Sequence, residues 1–195
     1  MGKKKQHELT FYQKEKKIKP KHFKSLFWIV FSMVAASFIA FVIVLVFGTR
    51  TTVIGEGMEP TLYNSQMVLI NKASYILFPP KSGDIVAFYP NGNKKAHYYL
   101  KRVVAVPGDR VVIKDGHLYV NDEIYKDEAQ YDYIEFAGLA QNELTLQKNE
   151  FFILGDNRNS SEDSRDGNIG PVNKNQIDGR VWFHFKCEQA DMGFN

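Results

Sequence analysis

The chain has 195 residues, 44% hydrophobic and 24% charged, with a formal net charge of +3. That balance suits one domain of ordinary size with short appendages and excludes a disordered, collagen-like or coiled-coil chain. The single cysteine, Cys187, excludes a disulfide framework and a multi-cysteine zinc site, and the five histidines lack metal-ligand spacing.

The charge is divided. Residues 1–24 hold nine lysines against Glu8 and Glu15, a balance of +7, so an overall +3 leaves −4 for the rest. The basic arm ends at a continuous apolar run, Leu26 to Phe47, which has no charge, proline or glycine. At 1.5 Å per residue that run reaches about 33 Å, enough to cross a hydrocarbon core of about 30 Å. A buried soluble helix would show a polar face, and only Ser32 and Ser37 are offered here. A cleavable leader would be shorter and end in small residues, which Gly48-Thr49-Arg50 does not supply. The expectation is therefore a transmembrane helix in the lipid bilayer, with the lysines holding the N-terminus in the cytoplasm and the body outside. No base-stacking or groove-reading module follows the arm, so nucleic acid is not an expected partner. The organisation reads as a basic cytoplasmic arm (1–25), a transmembrane helix (26–47), an extracytoplasmic β domain (48–186) and a loose polar tail (187–195).

Past Thr51 the pattern becomes short β-prone runs between turn residues: 53–54, 67–70, 84–89, 98–106, 110–113, 117–120, 151–154 and 180–185. Lys114-Asp115-Gly116 predicts a hairpin turn. Many short strands with frequent turns predict a mostly β, barrel-like body. Residues 126–149, acidic and rich in tyrosine, read as an insertion, with weak helical hints at 131–142.

Three segments carry candidate chemistry. Gly55-Glu56-Gly57-Met58-Glu59-Pro60-Thr61-Leu62 reads alone as a plain turn. In Leu100-Lys101-Arg102-Val103-Val104-Ala105, strand alternation puts Lys101 on the inward face with Val103 and Ala105. A buried lysine has a depressed pKa and can act as a general base, but such burial is rare, so a lysine snorkelling to water is the plainer reading of the residues. Gly155 to Arg165 (GDNRNSSEDSR) is a polar loop that either is merely solvated or stands rigidly beside a site.

In this order, and with Ser82-Gly83-Asp84-Ile85-Val86, these motifs resemble the type I signal peptidases, membrane-bound serine proteases with a Ser–Lys dyad. The resemblance runs from the anchor to about Phe185, and its Gly-Glu-x-Met-x-Pro-Thr-Leu form is similar to Gram-positive members. It implies a signal-peptidase-like β fold, a preprotein with its signal peptide as substrate, and no metal or organic cofactor. Lys101 matches the general base, Ser161 the residue that orients it, and Asp163 and Arg165 the supporting ion pair. Gly57 stands at the position of the nucleophilic serine. Its backbone N–H matches the family's oxyanion donor, and Gly55 stands where some members add a hydroxyl. Glycine has no side chain to acylate, so the chain as written is expected to be inactive. Ser65 and Ser74 are too distant along the chain to substitute. Retention of Lys101 and Ser161 favours an engineered serine-to-glycine change. The alternative is a natural pseudoenzyme, an assembly or chaperone factor for exported proteins such as pilin subunits. A self-cleaving repressor with a related fold is disfavoured by the membrane anchor and the lack of a helix-turn-helix segment.

Overall fold

The computed structural model describes residues 20–126 and 133–195. Most of the basic arm and part of the proposed insertion thus lie outside the described residues. The chain divides into two compact units, residues 1–43 and 44–195.

The first unit contains most of helix α1 (Pro20–Phe47). Its stretch Lys24–Val44 is long and apolar enough to cross a membrane, and none of it is buried against protein. Leu26, Phe27, Trp28, Phe31, Val34, Phe38 and Phe41 are all exposed. Apolar side chains on every face are tolerated by lipid and not by water.

The second unit is mostly β, as expected. Strands β1 (Gly48–Thr52), β2 (Met67–Asn71), β3 (Ile85–Phe88) and β4 (Tyr99–Ala105) belong to the larger sheet. A short helix, α2 (Ser74–Leu77), separates β2 from β3. Strands β5 (Arg110–Lys114), β6 (His117–Val120), β7 (Glu123–Ile124) and β8 (Leu144–Thr145) form a four-stranded sheet in the order β7-β6-β5-β8. The chain then returns through β9 (Glu150–Leu154), β10 (Val172–Asn173), β11 (Ile177–His184) and β12 (Gly193–Phe194). The larger sheet is ordered β1-β2-β11-β3-β4-β9-β10, with β12 on β11.

Burial explains the strand sequences. Ile85 and Ala87 of β3 enter one core with Val53, Met58, Leu62 and Leu100; Val86 and Phe88 enter another with Val103, Phe151 and Ile153. A strand covered on both faces needs a continuous apolar run, and Ile85-Val86-Ala87-Phe88 supplies it. A third core joins Val104 and Ala105 to Val111, Ile113 and Phe152 beside the smaller sheet.

Several sequence expectations shift. The strand placed at 53–54 is instead β1, which ends at Thr52. A register shift between Val103 and Ala105 breaks alternation, so Ala105 shares a core with Val104 rather than with Val103. The helical hint within the described residues becomes a 3-10 turn at Gly138–Gln141. The tail is not loose: Gly193 pairs with His184 and Phe194 with Phe183, and the Arg180 guanidinium donates to the Asn195 carbonyl. Aromatic packing of Phe194 on Trp182 and Phe183 overrides the polarity that the segment shows.

Candidate active site

The turn carrying Gly57 is pinned from both ends. Met58 and Leu62 are buried in the core, and the Leu62 N–H donates to the Met58 carbonyl at 2.9 Å. Val53 N–H donates to the Gln66 carbonyl, and Ser65 N–H donates back to the Val53 carbonyl. Gly55 has φ +82°, a conformation that favours glycine, and its N–H donates to Asn64 Oδ1. Gly57 is outside the left-handed region, so its backbone accepts any L-residue.

Lys101 lies on β4 opposite Val86 of β3 and is only 8% exposed. The snorkelling lysine of the plainer sequence reading is thereby corrected: the amine lies against the Gly57 turn, at the wall of a cleft, rather than extending into bulk water. Burial pushes its pKa below the ordinary 10.5, with Arg165 adding to the effect, while the carboxylates of Asp163, Glu162 and Asp156 oppose it.

The polar loop after β9 is rigid. Asp163 takes a bidentate ion pair from Arg165, Nε and a terminal nitrogen each at 2.8 Å, and also accepts from the Gly155 N–H at 3.0 Å. Arg165 donates further to the carbonyls of Arg158 and Phe136. Ser164 Oγ accepts from the Ile153 N–H, tying the loop to its strand. The Ser161 hydroxyl is buried and, among the described residues, has no hydrogen-bond partner, so it makes no bond to Lys101 here. A Cβ on Gly155 would collide with Ser161 Oγ and with the Gly57 carbonyl. Glycine there is what lets the loop close on the Gly57 turn, where the Asn157 N–H donates to the Gly57 carbonyl at 3.2 Å.

The three segments therefore meet. A Cβ built on Gly57 lies 2.8 Å from Lys101 Nζ and 3.5 Å from Ser161 Cβ. Gly55, Gly57 and Lys101 open onto a cleft of about 450 Å³ whose wall also includes Val53, Tyr98 and Leu100. Among the described residues no group of His, Cys, Asp or Glu has the arrangement to hold a metal ion.

Two features escape a reading of the sequence. Arg102, one residue from Lys101, donates from Nε and a terminal nitrogen to Asp156 at 2.8 and 2.6 Å; Asp156 also accepts from Thr61 Oγ1 at 2.6 Å, and Arg102 reaches the Gly83 carbonyl. This network ties all three motifs and Ser82-Gly83 together. Its only sequence signal was that alternation sends Arg102 away from Lys101. The second is the cleft wall at Tyr98, whose hydroxyl donates to Asp178, itself paired with Lys72 at 2.7 Å.

The chain matches the family model described as signal peptidase, peptidase S26, over residues 25–186, and it belongs to that family. It is 36% identical over 150 residues to signal peptidase I P of Bacillus subtilis subsp. natto, covering 70% of this chain and 80% of that one. It is 36% identical over 166 residues to signal peptidase IB of Staphylococcus aureus, covering 75% and 84% respectively. A crystal structure of a signal peptidase I from Enterococcus faecalis matches at TM-score 0.42 and 26% identity, over 52% of this chain and 96% of that one, too distantly to bear on the site. The family is one of serine-protease hydrolases that cleave signal peptides from preproteins. Together with the apolar helix, membership indicates a membrane-anchored protein.

Proposed function

We propose that this chain is a signal peptidase scaffold that binds preproteins through the signal-peptide cleavage segment and lacks only the hydroxyl needed to cut them. The segment lies extended in the cleft, with small residues at the third and first positions before the bond. Lys101, its pKa depressed by burial, is the general base; Ser161, close to the Gly57 turn, is the residue that orients it once the substrate is bound; the Asp163–Arg165 pair holds the loop; the Gly57 N–H faces the oxyanion. The lysine-rich arm keeps the N-terminus cytoplasmic and the body outside.

The reading rests on one observation: a side chain begun at Gly57 grows directly toward the Lys101 amine, its Cβ 2.8 Å away. A serine there needs the flexible end of Lys101 to move aside by less than an ångström, which leaves amine and hydroxyl at hydrogen-bonding distance. Retention of the base and its orienting hydroxyl beside the glycine favours loss of the serine alone, by engineering, over drift of the whole site. A natural assembly factor for pilins rests on Gly57 only and predicts binding that is indifferent to Lys101.

The test is Gly57→Ser, assayed in detergent on a preprotein. Cleavage should rise by about 10⁴–10⁶ over the parent chain, the scale on which a nucleophile and its base act as a unit. Adding Lys101→Ala should abolish the gain. No gain from Gly57→Ser defeats the proposal.

A further inference from the structure

The glycine has a consequence for the lysine as well as for the missing serine. Lys101 Nζ stands 2.8 Å from the ideal Cβ position of Gly57, closer than a carbon there would allow. The amine thus intrudes on space that any other residue's side chain would fill. It is the nearest side-chain heteroatom to that point, since the other close neighbours are the Ser160 carbonyl and Ser161 Cβ. It opens onto the cleft although the residue is 8% exposed. The other nucleophilic residues lining the cleft, His97 and Ser160, are exposed.

We infer that in this chain Lys101 itself takes the nucleophile's place and captures aldehydes that enter the cleft. The lone pair of the neutral amine adds to the carbonyl carbon and forms a C–N bond. The carbonyl oxygen, beside the Gly57 N–H, takes up a proton as the nitrogen gives one up. The carbinolamine then expels water and leaves an imine. Such capture shares the Lys101–Gly57 juxtaposition with the proposed function but needs neither a signal peptide nor a serine.

The groups facing Lys101 bear on its pH range. Asp163, Glu162 and Asp156 favour the ammonium, Arg165 and burial favour the amine, and burial is the largest effect. Glu56, His97 and Tyr99 also border the cleft. The amine is therefore free to react at a pH where exposed lysines are protonated.

The experiment treats the full chain in detergent with butanal and cyanoborohydride, which reduces an imine to a stable alkyl-amine, and maps the modified lysines by mass spectrometry. At pH 7 Lys101 should be alkylated at least tenfold faster than the median exposed lysine, and the ratio should fall toward pH 10 as exposed amines lose their protons. Gly57→Ser should remove the advantage by filling the gap. Labelling of Lys101 at or below the rate of exposed lysines overturns the inference, and so does equal labelling in Gly57→Ser. The cleavage assay is read separately: fast labelling of the parent with no cleavage by Gly57→Ser sinks the proposed function alone, and the converse result sinks the capture alone.

Discussion

Lys101 is the residue in which stability and chemistry conflict. The folded chain resists protonating it, because burial outweighs the nearby carboxylates. Between the depressed folded value and the ordinary 10.5, the unfolded chain binds a proton that the folded chain does not. Its contribution to stability is therefore complete above about 10.5 and is lost as pH falls through that window. Lys101→Met removes the penalty and keeps the volume. Its Tm should exceed the parent's at pH 7 by a few degrees, roughly 2–4 °C per kcal/mol for a chain of this size. The difference should shrink as thermal melts are repeated toward pH 10.5; a constant difference would mean that packing, not charge, sets it. The sequence placed this lysine on the inward face, yet the rarity of buried amines made exposure the plainer reading. Only the Gly57 turn and the loop after β9, which meet at the amine, decide between them, and those contacts are not local.

At the scale of elements, Arg102 and Asp156 link β4 to the loop after β9. The Asp156 side chain is fully buried and that of Arg102 is 14% exposed, so the pair is screened little by water. Asp156→Asn keeps the shape and leaves the guanidinium short of its charge partner. Breaking a buried pair from one side costs about 3 kcal/mol or more, which urea denaturation should show as a lower midpoint with an unchanged slope. The exposed pair Lys186–Asp191 is the contrast, and Lys186→Ala should leave the midpoint where it is. The strands themselves were legible wherever burial imposes a local pattern, as in Ile85–Phe88 and the hairpin turning at Asp115-Gly116. They were illegible where pairing depends on distant partners. Gly48–Thr52 has little apolar character and is a strand because β2 pairs with it, and Gly193–Phe194 is one because β11 does. The Arg102–Asp156–Thr61 network spans 95 residues of chain from Thr61 to Asp156, and no local pattern foretells it.

The molecule as a whole is an apolar helix and a mildly acidic β unit on one chain whose N-terminal arm is strongly basic. That asymmetry makes the orientation testable. Retaining a lysine-rich flank on the cytoplasmic side is favoured in insertion, so the β unit should face the opposite side. Cys187 is the chain's lone cysteine, half-buried and unpaired in the β unit, and so reports the location of that unit without any engineered label. In right-side-out membrane vesicles a membrane-impermeant maleimide should label Cys187 as fully as it does after detergent is added. In inverted vesicles labelling should wait for detergent. Protection in right-side-out vesicles would place the β unit in the cytoplasm, on the side from which an exported segment has not yet crossed, and the proposed role in signal-peptide binding would then have no substrate to meet.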